Sequence, residues 1–227
     1  MSDMITWFGH AALGMKIEGC NILVDPFFTG NPAAKNIADR VVANFILITH
    51  GHNDHVGDTV AIARRTGAVV VCNYEISEWL QRQGVKTHAQ HLGGGFNYPF
   101  GYLKLTLAMH GSSLPDGSYG GSPAGLLLTK NDNRKIYIAG DTGLFGDMVL
   151  IGDEGLDLAV LPIGDNYTMG PDDALRAVKL LRPRKVIPVH YNTFDLIAQD
   201  AEKWARRVTD ETDTEVLLLL PGQSAPF

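Results

Sequence analysis

Four side chains that can bind a metal ion fall within six residues, in the segment His50–His55. The segment reads His-Gly-His-Asn-Asp-His and so offers three imidazoles and one carboxylate. Imidazole is the commonest neutral ligand of zinc-like ions, and a carboxylate adds compensating negative charge. A histidine-rich surface loop that binds metal only adventitiously is the alternative interpretation. The density and the mixture of ligand types favour a built metal site.

The spacing inside this segment predicts how its ligands divide. His50 and His52 stand at alternate positions of an extended segment, so their side chains point the same way. A turn after His52 can then bring Asp54 and His55 to a second metal nearby. The segment therefore has room for ligands of two neighbouring metal ions.

Three further residues of ligand type each follow a predicted strand. The strands Leu103–Met109, Lys135–Ala139 and Lys185–Val189 run towards His110, Asp141 and His190 respectively. Taken singly, a histidine at a strand end is usually a hydrogen-bonded structural residue, and an Asp after Gly usually forms a turn. Together with the first segment they supply seven ligands, which is enough for two ions of four or five ligands each that share one carboxylate and one hydroxide.

The elements that must position these residues follow an α/β pattern. The pattern predicts an antiparallel meander of Met4–Phe8, Gly14–Ile17 and Asn21–Val24, then the strand Phe45–Thr49, the helix Asp58–Arg65 and the strand Ala68–Cys72. The second half predicts the strand Leu158–Pro162, the helices Asp172–Leu181 and Gln199–Val208, and a last strand Glu215–Leu220. We expect one domain, residues 1–227, with two β-sheets and helices outside them.

Composition narrows the class of partner. The 227 residues are 45% hydrophobic and carry a net charge of −6, whereas nucleic-acid binding needs a basic face. Two cysteines give no disulfide framework, and no apolar run approaches the roughly 20 residues that cross a bilayer. These features predict a cytoplasmic protein without nucleic-acid or membrane partners, and they leave a homo-oligomer open.

The order of the ligands along the chain resembles the metallo-β-lactamase superfamily. The closer resemblance is to small bacterial and archaeal metal-dependent hydrolases allied to ascorbate-6-phosphate lactonase, and it spans essentially the whole chain. Besides the ligands, it rests on Ile5–Ala11, Val24–Phe27, Gly93-Gly94, Gly121–Gly125, Thr168–Pro171 and Thr193-Phe194. The resemblance implies a four-layer αβ/βα sandwich with the metal site at one edge, between the two sheets.

The resemblance also implies which ligand holds which ion. His50, His52 and His110 would hold one ion, Asp54, His55 and His190 the other, and Asp141 would bridge them. A Glu in place of His52 would indicate the diiron oxidoreductase branch, so His52 favours hydrolysis. We expect two divalent ions, with Zn²⁺ favoured and Mn²⁺ or Ni²⁺ as alternatives.

Hydrolysis follows from what such ions do to water. A zinc-like cation lowers the pKa of bound water from 15.7 to about 7. A hydroxide that bridges two ions could then attack the carbonyl or phosphoryl centre of a small ester, lactone, amide or phosphodiester. A nuclease of the same superfamily and a non-catalytic metal-binding sensor are the alternatives.

Four residues around the ligands receive candidate roles. Asp54 and His10 are the candidate catalytic residues, although His10 could instead make a core or outer hydrogen bond. Asp25 ends a predicted strand and is expected to orient a ligand histidine. Tyr167 is a candidate substrate contact, with packing as its alternative, and Asp165-Asn166-Tyr167 departs from the Gly/His pair that relatives often carry.

Overall fold

The computed structural model describes residues 3–34 and 37–227. Its strands are β1 (Met4–Trp7), β2 (Leu13–Ile17), β3 (Cys20–Val24), β4 (Phe45–Leu47), β5 (Val69–Asn73), β6 (Thr87–Gln90), β7 (Gly95–Tyr98), β8 (Gly101–Leu107), β9 (Ala124–Thr129), β10 (Lys135–Ile138), β11 (Leu158–Pro162), β12 (Lys185–Val189), β13 (Glu215–Val216) and β14 (Ser224–Pro226). Its α-helices are α1 (Asn53–Val56), α2 (Thr59–Thr66), α3 (Tyr74–Gln81), α4 (Met148–Gly152), α5 (Pro171–Leu181) and α6 (Ala201–Glu211). In these residues we find no helix with the length and apolar character needed to cross a membrane.

The strands form two mixed sheets. The first has the order β14-β1-β2-β3-β4-β5-β6, and the second has the order β13-β12-β11-β10-β9-β8-β7. The antiparallel meander predicted at the start of the chain is confirmed as β1, β2 and β3, and the strands from β3 to β6 run parallel. In the second sheet β10, β11, β12 and β13 are parallel.

The core lies between the sheets, and the helices cover their outer faces. Alternation in β1 and β2 buries Ile5, Trp7, Leu13, Met15 and Ile17 against residues of the second sheet. Helices α2 and α3 pack on the first sheet, while α5 and α6 pack on the second. This is the α/β four-layer sandwich that the resemblance implied.

Helix α5 shows how local signals set the element ends. Pro171 occupies its first turn, where a missing N–H costs nothing, as the sequence predicted. Five residues of its inner face are buried: Ala174, Leu175, Ala177, Val178 and Leu181. The helix therefore ends at the position where its apolar spacing ends, before Pro183.

Several predicted boundaries were wrong, and each error has a physical reason. The expected last strand Glu215–Leu220 pairs only over Glu215–Val216, because the chain then leaves the second sheet and returns as β14 beside β1. The predicted helix Gln199–Val208 begins later, at Ala201, since the side chain of Asp200 accepts the N–H of Lys203 and caps it. Strands β6 and β7 were missed, because neither shows an alternating apolar pattern.

Candidate metal centre

All seven predicted ligands lie at one end of the two sheets, which we call the ligand end. It is the end where β4, β10 and β12 finish, and His50, Asp141 and His190 follow those strands by one to three residues. His52 precedes helix α1, which carries Asp54 and His55. The N–H of Ala124 donates to the carbonyl of Thr49 at 2.9 Å, so the sheets are joined directly beside the site.

The ligand atoms fall into three overlapping groups. The groups are His50, His52 and His110; His50, His55 and Asp141; and His10, Asp54, His55 and His190. Within each group one nitrogen or oxygen of every member lies within 4.8 Å of the others. The first group matches the first predicted ligand set, and the third contains the second set with His10 added.

In the first group, His50 and His52 meet as their alternate spacing predicted. Nε2 of His50 lies 3.0 Å from Nδ1 of His52, and the ring centroid of His110 is 5.0 and 5.1 Å from theirs. Burial lowers the pKa of His50 well below its usual value and also lowers the pKa of His110. Both rings are therefore neutral near pH 7, which is the form that binds a metal.

Asp141 lies between histidines that come from both sheets. Its Oδ2 is 3.0 Å from Nε2 of His190 and 3.5 Å from Nε2 of His110, while its Oδ1 is 3.3 Å from Nε2 of His55. Burial would raise the pKa of Asp141, but the charges of His55 and His190 hold it well below the usual range. The side chain is therefore a carboxylate at the position expected of a bridging ligand.

The buried polar atoms at this centre test whether metal ions fit. Nε2 of His55, Oδ1 of Asp141 and both ring nitrogens of His190 are buried without a hydrogen-bond partner in residues 3–34 and 37–227. Buried polar atoms in native proteins are rarely left unpaired, and an ion is one standard reason. The donor set of imidazoles and carboxylates suits divalent ions of the zinc type, so the residues fit the implied metals.

Asp25 fixes the orientation and tautomer of two histidines that are candidate ligands. Its Oδ2 accepts from Nδ1 of His55 at 2.8 Å and from the hydroxyl of Thr49 at 2.6 Å, and its Oδ1 accepts the N–H of Thr49 at 2.9 Å. Since that hydroxyl donates to Asp25, its oxygen accepts from Nδ1 of His50, 3.0 Å away. Nε2 of His50 then keeps its lone pair for a metal.

His55 lies between the carboxylates of Asp25 and Asp141. Burial would lower the pKa of its imidazole, yet the carboxylates of Asp141 and Asp25 raise it well above the usual value. Its Nδ1–H is used by Asp25, so the additional proton sits on Nε2, which faces Asp141. A cation bound there takes the place of that proton, so we expect metal binding to release it.

His10 is buried and uses both ring nitrogens. Its Nε2 lies 3.0 Å from Oδ2 of Asp54, and its Nδ1 lies 2.9 Å from the hydroxyl of Thr193. Burial lowers its pKa to about 4 against the opposing effect of the hydrogen bond to Asp54, so the ring is neutral near pH 7. A carboxylate only accepts, hence Nε2 donates and Nδ1 accepts from Thr193. This geometry favours the outer hydrogen bond over direct substrate contact.

Three of these residues adopt a backbone conformation that side chains rarely take. The φ angles are 55° for His10, 44° for Asp25 and 56° for His190. A non-glycine residue in this region costs about 1 kcal/mol or more and tends to occur where function requires it. The backbone of His190 also lies very close to Gly164. A Cβ at position 164 would stand 2.1 Å from the His190 carbonyl oxygen, so only glycine fits there.

Tyr167 lies on an exposed loop beside the site. Its side chain is 54% exposed, and the N–H of Met169 in the same loop donates to the carbonyl of Thr142 at 2.9 Å. Thr142 follows Asp141, so the loop is tied to a ligand segment. The accessible position fits a substrate contact better than a packed aromatic residue.

Thr49 and Thr193 are two further candidate residues of the site that the sequence did not indicate. Each hydroxyl joins a carboxylate–histidine chain, Thr49 between Asp25 and His50 and Thr193 beside His10. The only available signal was position, since Thr49 immediately precedes the ligand segment and Thr193 follows His190 by three residues.

Comparison with known proteins gives one consistent group. A family model described as "Beta-lactamase superfamily domain" matches residues 20–191. A "UPF0173 metal-dependent hydrolase" of Pelotomaculum thermopropionicum is 50% identical over 226 residues, covering 97% of this chain and 98% of the relative. A protein of that description in Thermus thermophilus is 48% identical over 219 residues, covering 96% of each. The solved structure of Igni18, a metallo hydrolase from Ignicoccus hospitalis, superposes with a TM-score of 0.91 at 36% identity, covering 100% of this chain and 99% of that one.

Proposed function

The chain belongs to the beta-lactamase superfamily of metal-dependent hydrolases, and from this premise we propose that it hydrolyses a small molecule at a site for two divalent ions. The proposal places one ion with His50, His52 and His110 and the other with Asp54, His55 and His190. Asp141 would be shared by both. Zn²⁺ is the favoured ion, with Mn²⁺ and Ni²⁺ as alternatives.

One observation carries this proposal. Seven ligand side chains from two different sheets converge, and buried nitrogen and oxygen atoms of His55, Asp141 and His190 have no hydrogen-bond partner in the described part of the chain. Leaving several such atoms unpaired would be costly if nothing bound them. Ions at the centre would satisfy these atoms and would balance the clustered carboxylates.

The surrounding residues prepare the ligands. Asp25 holds His55 directly and His50 through Thr49, so both Nε2 atoms face the centre. His10 donates a hydrogen bond to Asp54 and thereby fixes its carboxylate. Burial would raise the pKa of Asp54, but this hydrogen bond holds it below its usual value. When bound, the divalent ions supply Lewis-acid polarisation of the substrate oxygen and acidify water to a pKa of about 7.

The substrate class includes esters, lactones, amides and phosphodiesters, because each offers an electrophilic carbonyl or phosphoryl centre. We propose Tyr167 as a substrate contact, Asp54 as a catalytic residue on which His10 acts through its hydrogen bond, and residues 1–227 as one functional domain. We also propose a cytoplasmic protein without a nucleic-acid partner. The net charge of −6 supports this over the nuclease alternative.

Metal content and metal-dependent turnover test the proposal together. The protein is stripped with a chelator, reloaded with Zn²⁺, Mn²⁺ or Ni²⁺, and analysed for metal and for hydrolysis of chromogenic ester, lactone and phosphodiester substrates. We expect close to two equivalents of metal and turnover that depends on it. His55→Ala should hold about one equivalent less, while His91→Ala, which changes an exposed histidine outside the site, should hold both.

Two results would contradict parts of the proposal. A protein that never holds more than one tightly bound ion would contradict the two-ion site. Two bound ions without turnover of any substrate class would instead favour the metal-binding sensor.

A further inference from the structure

The described loop segments at the ligand end carry no lysine or arginine. In the described part of the chain these loops are residues 8–12, 25–34, 48–58, 108–123, 139–147, 163–170 and 190–200. The whole chain has 19 such residues. The described lysines and arginines lie elsewhere. Examples are Arg65 on α2, Arg176 on α5 and Lys130 at the other end of β9.

The same loops carry several carboxylates besides the predicted ligands. Asp116, Asp147, Asp165 and Asp195 all lie in them. Phosphate and carboxylate groups of substrates are usually recognised by arginine or lysine, with bidentate arginine the strongest case. On these described segments, a substrate with a phosphate or carboxylate outside the reacting group would find no such partner.

Helix N-termini are the other common anion sites, and here they are occupied by acidic side chains. Helix α3 has Glu75 in its first turn, α5 has Asp172 and Asp173, and α6 has Glu202. A carboxylate in the first turn neutralises the positive end of the helix dipole. These helices therefore add no anion site to the loops.

Exposed apolar side chains stand on the loops instead. Met109, Tyr119, Tyr167 and Phe194 are 44–70% exposed. The ring centroid of Phe194 is 5.6 Å from that of His10, and the carbonyl of Met109 accepts the N–H of Gly143 at 3.0 Å. Large apolar residues that are exposed together commonly mark a binding surface.

The loop of Tyr119 is anchored to the ligand segment as well. The hydroxyl of Ser112 accepts the N–H of Gly51 at 3.0 Å, and Ser113 forms a β-bridge with Tyr119. Each of the four apolar residues thus lies on a loop held next to a predicted ligand.

We propose, on the basis of the hydrolase function above, that the substrate is an uncharged carboxylic ester, lactone or amide with an apolar group beside the scissile carbonyl. The apolar group packs on Met109, Tyr119, Tyr167 and Phe194. In the reaction, water adds to the carbonyl carbon and the bond to the leaving oxygen or nitrogen breaks. The leaving group takes one proton of the water, and the products are a carboxylate with a released proton and an alcohol or amine.

A matched pair of substrates separates charge from shape. The Zn²⁺-loaded protein is given 4-nitrophenyl hexanoate and the 4-nitrophenyl monoester of adipic acid, which replaces the terminal methyl group with a carboxylate. We expect kcat/KM to favour the hexanoate by about tenfold. We also expect hexanoate to exceed acetate, since each methylene that becomes fully buried contributes about fourfold.

Binding gives a second readout that needs no turnover. Hexanohydroxamic acid and the monohydroxamate of adipic acid are titrated into the Zn²⁺-loaded protein by calorimetry. We expect the uncharged compound to bind about tenfold more tightly. A failure of ester turnover with this preference intact would count against the hydrolase function, while the preference of the site for an uncharged apolar ligand would stand.

Two variants locate the effect. Tyr167→Lys adds a positive charge that can pair with the adipic carboxylate. The kcat/KM ratio of the two esters and the affinity ratio of the two hydroxamates should each move towards the adipic compound by about threefold, the scale of an exposed ion pair. Val42→Lys, at a residue that is 62% exposed and precedes β4 at the opposite end, should leave them unchanged. Equal or better handling of the adipic compounds by the unmodified protein would overturn the inference without touching the proposed hydrolysis.

Discussion

The two ends of the sandwich differ in whether their buried polar and charged groups have partners within the protein. At the ligand end, His55, Asp141 and His190 keep buried atoms without hydrogen-bond partners in the described residues. At the opposite end, the fully buried ammonium group of Lys130 contacts Asp3 and lies 3.0 Å from Asp132. Arg134 lies 2.8 Å from Asp132 and 3.3 Å from Asp3, and it also donates to the carbonyl of Phe227.

The difference shows which charges belong to the fold and which to the function. Around Lys130 each charge meets an opposite one, and the Phe227 ring, centred 5.7 Å from the ammonium nitrogen, covers it. That cluster ties β1, β9 and the chain end together. The ligand end has an excess of groups that need a cation from outside. We therefore expect mutations at one end to remove function and mutations at the other to remove stability.

The largest effect should come from Asp141→Asn. A neutral amide cannot bridge two cations as a carboxylate does, so we expect kcat/KM to fall by about 1000-fold or more and metal content to drop. Elemental analysis and steady-state kinetics measure both quantities. Activity within tenfold of the unmodified protein would mean that Asp141 is not the shared ligand.

Asp25→Asn should have the next largest effect. The carboxylate acts only through His55 and Thr49, so we expect metal affinity or activity to fall by about 10–100-fold, as is usual for outer partners of ligands. Competition with a coloured chelator measures the affinity. Thr49→Val removes the hydroxyl that links Asp25 to His50 but leaves the contact of Asp25 with His55, so it should cost less. A larger loss in Thr49→Val would contradict the shared role of Asp25.

Lys130→Met should lower stability and leave metal binding and activity unchanged. The change breaks a buried ion pair, although Asp3 and Asp132 keep Arg134, so we expect the free energy of unfolding to fall by about 1–3 kcal/mol. Urea unfolding of the metal-free protein measures this value. Metal content and kcat/KM should stay within twofold, and a parallel loss of activity would show that the two ends are not independent.

The smallest effect concerns acid stability at the Lys130 end. The hydrogen bond from Arg134, together with Lys130, holds the pKa of Asp132 below its usual range. A carboxyl group with a depressed pKa stabilises the fold above its unfolded pKa, near 3.9, and loses that contribution as the pH falls.

We therefore expect Asp132→Asn to reduce stability at pH 7 and to flatten its decline below about pH 4. Urea midpoints of the metal-free protein across that range check the slope. Asp153→Asn is the control, because its pair with Arg182 is exposed on both sides. An unchanged slope in Asp132→Asn would remove this carboxylate from the stabilising cluster.

The sequence predicted the ligand end better than the Lys130 end. The segment His50–His55 is local, so residue types and spacing sufficed, and strand ends pointed to His110, Asp141 and His190. The link from Asp25 through Thr49 to His50 depends on how two strands and a helix meet. A short sequence pattern does not predict how such distant elements pack together, so the link could not be predicted.

The elements that were missed share this dependence on distant partners. Strand β14 is a Ser-Ala-Pro tripeptide with no strand signal of its own, and it forms because β1 offers an unpaired side. Similarly, Lys130 appears in the sequence as an ordinary surface residue of a turn. Its buried ammonium group is stabilised by contacts with Asp3 and Phe227, which are far from it in the sequence.

Each of the three candidate ligand groups draws on both sheets, and this has a consequence for how the protein folds. The first sheet supplies His50, His52, Asp54 and His55, and the second supplies His110, Asp141 and His190. A half-folded chain offers no complete group, so tight ion binding must wait until the sheets have docked. Bound ions would then act as cross-links that slow the separation of the halves, and by mass action the lifetime of the folded chain would follow the free metal concentration around it.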